Sequence, residues 1–251
     1  MQKALITGAS SGIGKELALI MAKAGHDLVL VARNKNGLAE VKKEIKLLSK
    51  VEVSIYAVDL SKAGSAKKIY ESTKNEGIGI LVNCAGVGLK GNFFNDDQER
   101  TSQMAHLNMV SLMELTQLFG SDFILKKSGK ILNIASITAF FPGPKQPVYY
   151  ATKSFVRSLS RALSYNLRGT GVTLTTLHPG VTKTNFFASS NAKDFKGGAS
   201  ARSVAELGYR AMMKGRIEVT HGIWNKFLTN VFVRLVPYRF HAPVVDRASE
   251  V

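Results

Sequence analysis

The chain has 251 residues, 45% of them hydrophobic, enough to bury a large core, and one α/β domain over residues 1–251 is the simplest reading. Its lone cysteine, Cys84, excludes an intrachain disulfide framework, and the histidines at 26, 106, 178, 221 and 241 show no metal-ligand spacing, so a reducing, cytoplasmic location and no metal are expected. Against 18 Asp and Glu stand 34 Lys and Arg, a formal charge of +16 that favours anionic partners; with no helix-turn-helix, zinc-finger or RNA-binding signature, it reads as a solvated basic surface and not as a nucleic-acid site.

"KALIT" at 3–7 reads as a first strand, and only two residues precede it, so a secretory signal is not expected. A helix from about Ile13 follows, then a strand at "DLVLVA", a helix through Lys50, a strand at "VEVSIYAV", another helix, and a strand at "IGILVN". Helical patterns near 98–124 and 149–168 flank a strand at "GKILNIA"; "VTLTTLH" and a short strand near 216–220 bring the total to about seven. Strands of nearly continuous apolar character, separated by helices, predict a parallel sheet covered on both faces. That is a doubly wound, Rossmann-type α/β fold, whose ligands bind beyond the carboxyl ends of the strands.

Residues 185–200, "NFFASSNAKDFKGGAS", form a long segment with a Gly197-Gly198 pair, either a substrate lid or a plain surface loop. An apolar helix is expected over about 222–236, where Trp224, Phe227, Leu228, Val231, Phe232 and Leu235 recur at helical spacing. That stripe could pack on the core, border a pocket, join subunits or lie on a membrane. No apolar run approaches the ~18 residues of a membrane span, so the protein is expected to be soluble or peripheral.

After the first strand, "TGASSGIG" places Gly8, Gly12 and Gly14 at the entry to a helix. Glycines permit strained backbone angles and let a pyrophosphate approach the helix N-terminus, where free N–H groups and the dipole favour anions. At the end of the second strand, "LVARN" puts Arg33 where an acid would bind ribose hydroxyls in an NAD site, about 20 residues on. An arginine there can pair with a 2′-phosphate, so NADP(H) is expected over NAD(H), unless Arg33 is an ordinary surface residue.

In "PVYYATKS", Tyr149 and Lys153 are four apart and share a helical face, while Tyr150 is rotated about 100° away. An unperturbed phenol titrates near pH ~10, so acid/base work needs a neighbouring cation, which Lys153 can supply in part. Such pairs are also common on surface helices. Ser136, in "NIASIT", follows the fifth strand and could hydrogen-bond a carbonyl or developing alkoxide, or merely cap the strand end. Asn108 lies within an apolar helical pattern, where an amide needs a local task, either capping a bend or ordering a water.

Taken together, these residues resemble the short-chain dehydrogenase/reductase family over nearly the whole chain. "TGASSGIG" looks like the T-G-x-x-x-G-x-G cofactor turn, with Ser10, Ser11 and Ile13 beside its glycines. "VDL" looks like the adenine-contacting segment, with Asp59 and Leu60. "NCAG" looks like N-N-A-G; Asn83, Ala85 and Gly86 would lie along the cofactor, with Cys84 in place of the second asparagine. Asn108, Ser136, Tyr149 and Lys153 match the catalytic tetrad. "HPGVTKT" looks like P-G-x-x-x-T, with Pro179, Gly180 and Val181 near the nicotinamide carboxamide and Thr184 on the cofactor.

The resemblance implies hydride delivery from NADPH to a ketone or aldehyde, protonation by Tyr149, and a water held by Asn108 as a relay from Lys153. It also implies a homodimer or homotetramer formed through the helices at 98–124 and 149–168. Phe140, Phe141, Phe186, Phe187 and Trp224 could line an apolar pocket for a lipid-like carbonyl, or belong to the core. A 3-oxoacyl carrier-protein reductase and a non-catalytic NADP(H) sensor or scaffold are the alternatives.

Overall fold

The computed structural model describes residues 1–91, 93–184, 186, 198–237 and 245. Its strands are β1 (Lys3–Thr7), β2 (Leu28–Ala32), β3 (Val53–Ala57), β4 (Ile78–Asn83), β5 (Gly129–Ile134), β6 (Val172–His178), β7 (Thr182–Lys183), β8 (Ala199–Ser200) and β9 (Glu218–Thr220). Seven of them form a parallel sheet in the order β3-β2-β1-β4-β5-β6-β9, while β7 and β8 pair separately. The chain leaves β1 in one direction to reach β2 and returns to the other side of β1 with β4. That reversal opens a crevice at the carboxyl ends of β1 and β4.

The period-2 alternation of each strand sorts its side chains into two cores. Ala4, Ile6, Leu28, Leu30, Ile80 and Val82 face one layer, where they meet helices α1 (Gly12–Lys23), α2 (Lys35–Leu48) and α7 (Ala201–Met213). Leu5, Val29, Val31 and Leu81 face the other, packing with Ile69 of α3 (Ser65–Thr73) and with Leu115, Phe119 and Phe123 of α5 (Leu112–Leu125). Burial on both faces explains why these strands lack polar alternation.

Two helices depart from their expected bounds for identifiable reasons. Helix α6 (Pro147–Asn166) begins at a proline, whose fixed φ suits the first helical turn, so it starts ahead of the expected residue 149. The helix expected over 98–124 is interrupted: α4 (Gln98–Ala105) and α5 are joined by a π-helical turn, His106–Ser111, that carries Asn108. The C-terminal helical segment runs as α8 (Ile223–Phe227), a π turn (Leu228–Phe232) and α9 (Val233–Leu235). Among the described residues no helix is long and apolar enough to cross a membrane, and no group of His, Cys, Asp and Glu could hold a metal.

Polar side chains cross the apolar centre as one hydrogen-bonded chain. Asn83 at the end of β4 donates from Nδ2 to Asn133 Oδ1 (2.9 Å) and Thr116 Oγ1 (3.0 Å), and Asn133 donates from Nδ2 to Ser160 Oγ (2.9 Å). The contacts join β4, β5, α5 and α6, and Asn83 is in register opposite Asn133. Removing the middle member strands two buried partners, each at a cost of roughly 1–3 kcal/mol. Asn133→Ala should therefore lose about 3 kcal/mol in urea unfolding, whereas Ser158→Ala, on the exposed side of α6, should change it by less than about 0.5 kcal/mol.

Candidate active site

The turn from β1 into α1 is held close to the chain beyond β4. Gly8 has φ +68, and a Cβ there would lie 2.9 Å from the Ala85 backbone; one on Gly14 would lie 2.3 Å from the Gly8 carbonyl oxygen. Thr7 Oγ1 accepts hydrogen bonds from the Cys84 and Ala85 amides, both 3.0 Å, and pins the two segments together. The first turn of α1 contains no acid, and the Ser11 side chain at its N-cap makes no capping bond. Main-chain donors, a free hydroxyl and the positive end of the helix thus face the crevice, which suits a pyrophosphate.

Arg33 stands exposed at the end of β2, and Asp59 lies just past β3. Burial opposes ionisation of Asp59, but hydrogen bonds from the Ser61 hydroxyl (2.7 Å) and amide (3.0 Å), with the charges of Arg33 and Lys62, hold its carboxyl below the ordinary value. The pair gives this end of the crevice one fixed cation and one oriented acceptor. Both features fit the adenosine end of a phosphorylated dinucleotide.

A cavity of about 620 Å³ runs from Arg33 to Tyr149 and beyond. Of the residues expected to contact a cofactor, Gly8, Ser10, Ser11, Gly12, Ile13, Gly14, Arg33, Asp59, Leu60, Ala85, Gly86, Tyr149, Lys153, Pro179, Gly180, Val181 and Thr184 all line it. Asn83 does not, because its side chain turns into the Asn133 and Thr116 contacts of the core. The role left open by Cys84 replacing asparagine is thus partly met elsewhere: the Cys84 amide is held by Thr7, and Asn83 ties the sheet.

Ser136, Tyr149 and Lys153 converge at the middle of the cavity. Ser136 Oγ accepts from the Thr138 amide (3.2 Å), capping the 3-10 turn Ile137–Phe140, and its hydroxyl also faces the Tyr149 phenol. Lys153 Nζ donates to the Ile134 carbonyl (3.0 Å) and lies 5.8 Å from the centre of the Tyr149 ring. Burial pushes Tyr149 up to about 12, opposed by hydrogen bonding to Ser136, and pushes Lys153 down to about 8. The groups that oppose burial at the phenol are the Ser136 and Thr138 hydroxyls and not, as expected, the Lys153 ammonium. Near neutrality the phenol keeps its proton, the state a general acid requires.

Asn108 contacts this centre from behind and does not line the cavity. Its Oδ1 accepts from the Val87 amide (3.0 Å), and its Nδ2 donates to the Val87 carbonyl (2.9 Å) and Thr152 Oγ1 (3.2 Å). One amide hydrogen and the Oδ1 fix Val87 in the chain after β4, and the other hydrogen reaches α6 at Thr152, so the side chain brackets the two elements together. Tyr150, expected on another face, also lines the cavity; its ring lies edge-on to Phe141 at 5.9 Å.

Phe141 and Phe186 line the cavity as expected. Phe140 instead lies under the Arg157 guanidinium (4.0 Å) and edge-on to His178 (4.9 Å), and Trp224 is 83% exposed. Leu228, Phe232 and Val233, on the next face of the C-terminal segment, contribute the apolar wall in its place. Phe187, and most of the expected lid at 185 and 187–197, lie outside the described residues.

Thr7 and His178 were not legible as site residues, since a threonine or histidine at a strand end has many ordinary roles. His178 is fully buried; its Nδ1 meets the Ser136 carbonyl at 3.1 Å, which supports the backbone of that serine from behind. Its Nε2 has no hydrogen bond and lies 3.6 Å from Glu218, which also binds Arg157 and Arg161. Burial, partly opposed by Glu218, lowers the imidazole to about 4. The unfolded chain takes up a proton that the folded one refuses, so this group makes stability rise with pH from about 4 to its ordinary value of about 6.5. In urea unfolding at pH 5 and 7, His178→Asn should show a smaller pH difference than the parent; an unchanged difference would contradict a neutral, buried His178.

Comparison with other proteins agrees with this geometry. The sequence matches the short chain dehydrogenase family over residues 2–194. It is 35% identical over 180 residues to the human very-long-chain 3-oxoacyl-CoA reductase, covering 70% of this chain but only 58% of that relative. Its structure resembles a short-chain dehydrogenase from Sphingobium yanoikuyae in complex with NADPH, with TM-score 0.85, 27% identity, and 99% and 94% of the two chains covered. It also resembles a bulky-bulky ketone specific alcohol dehydrogenase from Comamonas testosteroni, with TM-score 0.80, 25% identity, and 94% and 95% covered. A family match across most of the chain identifies it as an oxidoreductase of the short chain dehydrogenase family.

Proposed function

We propose that the chain is an NADPH-dependent reductase of apolar ketones or aldehydes, working as one cofactor-binding and catalytic domain. The observation that carries this is the continuity of a single cavity from the glycine turn and Arg33, past Ser136, Tyr149 and Lys153, to walls formed by Phe141, Phe186, Leu228 and Phe232. The glycine turn and helix N-terminus receive the pyrophosphate, and Arg33 the 2′-phosphate. When bound, the reduced nicotinamide supplies the hydride. The NADPH complex of the Sphingobium protein, the ketone specificity of the Comamonas enzyme and the acyl substrate of the human relative support the same assignment.

Each residue then has a task that its surroundings permit. The Ser136 hydroxyl orients the carbonyl oxygen, and the protonated Tyr149 phenol donates its proton to that oxygen as negative charge develops. Lys153, whose ammonium is anchored on the Ile134 carbonyl, binds the ribose hydroxyls and supplies positive charge behind the phenol. Asn108 and Thr7 act through position, one fixing Val87 and the other fixing Cys84 and Ala85. Reduction of 3-oxoacyl thioesters is the second reading, favoured by the apolar walls and the basic chain. The expected assembly is a cytoplasmic homodimer or homotetramer formed through α4, α5 and α6.

Carbonyl-dependent NADPH oxidation across a panel of apolar ketones, aldehydes and 3-oxoacyl thioesters should reveal turnover, and none across the panel would contradict the assignment. In Arg33→Ala, the preference for NADPH over NADH in kcat/KM should fall at least about tenfold, from loss of a charge-assisted contact. Unchanged discrimination would refute the role given to Arg33.

A further inference from the structure

The segment after β4 maps the cavity outward from the reacting centre. A Cβ on Gly86 would lie 3.5 Å from Lys153 Nζ, and one on Gly88 would lie 3.7 Å from Tyr149 Cδ2 and 3.0 Å from Phe186. Lys90 comes next and lines the cavity. It therefore stands past Tyr149, away from the end that holds Arg33 and Asp59.

Among the described residues the charged side chains lining the cavity are Arg33, Asp59, Lys153 and Lys90, and the first three already have tasks at the cofactor or the phenol. Lys90 has none. Among the described residues it makes no ion pair; the nearby Asp96 lies against Gly91 instead. Around it the outer half of the cavity is mainly apolar, formed by Phe141, Tyr150, Phe186, Leu228 and Phe232 with Gln146, and among the described residues no acid lines that half. Lys90 also borders an adjoining groove with Phe93, Phe94 and Lys145.

A half-buried lysine without an ion pair among the described residues, set in a largely apolar stretch of wall, is electrostatically complementary to one kind of group. We propose that Lys90 selects an anionic amphiphile as substrate: an apolar carbonyl compound whose carboxylate or phosphate pairs with the Lys90 ammonium while its carbonyl reaches Ser136 and Tyr149. The placement of that carbonyl rests on the carbonyl-reductase assignment; the anion site itself does not. Selection occurs because the chain body gains burial in any case, whereas an ionised end group gains a charge-assisted hydrogen bond only here. Neutral analogues lack that contact and leave the cation solvated.

Binding of decanoate, decyl phosphate and decanol, measured by titration calorimetry in the presence of NADP⁺, separates the anion site from catalysis. At least one anion should bind about tenfold or more tightly than decanol, that preference should weaken as salt is raised, and Lys90→Gln should abolish most of it. Decanoate and decyl phosphate distinguish a keto acid from a phosphorylated carrier as the source of the charge. Equal binding of all three ligands, or an anion preference retained in Lys90→Gln, would overturn the proposal. Anion binding lost in Lys90→Gln, combined with no carbonyl turnover in the parent, would uphold the anion site and reject the reductase assignment instead.

Discussion

The structure depends on how closely the turn after β1 approaches the chain after β4. Gly8 can lie against Ala85 only without a side chain, and the Thr7 hydroxyl converts that proximity into two hydrogen bonds to successive amides. Because β1 and β4 are the neighbours at which the sheet order reverses, this contact sits at the mouth of the crevice. From there the segment Gly86–Gly88 runs past Lys153 and Tyr149, held on its other side by Asn108. A displacement of that contact would move the phosphate-binding turn and the proton donor relative to each other.

Buried polar groups on the far side tie the elements of the centre together. Asn83, Asn133 and Ser160 cross-link the sheet to its helices, while His178 supports the Ser136 carbonyl and is itself backed by Glu218, Arg157 and Arg161. Neither Asn83 nor Asn133 lines the cavity, although each lies at or next to the carboxyl end of its strand. Burial also acts on the titrating groups directly. It raises the phenol of Tyr149 and lowers the ammonium of Lys153, so in the protein by itself the proton belongs to the tyrosine.

Much of this was legible in the sequence because it is local. The glycine turn, the apolar strands and the four-residue step from Tyr149 to Lys153 lie within single elements or adjacent ones, and apart from Asn83 the residues expected along a cofactor fall on one cavity. What escaped notice depends on side-chain direction. Asn83 and Cys84 are adjacent at the end of a strand, so they point to opposite faces, and composition does not say which face is the core. The C-terminal stripe forms one apolar face in the sequence, but Trp224 points outward while Leu228 and Phe232 point in. A π turn around Asn108 leaves no sequence period that distinguishes it from an α-helix, and Lys90 looks like any surface lysine until the cavity wall is drawn.

The central claim is that Tyr149, and not its neighbour Tyr150, delivers the proton, although both rings line the cavity. The direct test is kcat for the best carbonyl substrate in Tyr149→Phe and Tyr150→Phe at saturating NADPH. Loss of a general acid should cost Tyr149→Phe about 10²- to 10⁴-fold, while Tyr150→Phe stays within a few-fold of the parent. Full turnover in Tyr149→Phe, or an equal loss in Tyr150→Phe, would contradict the account.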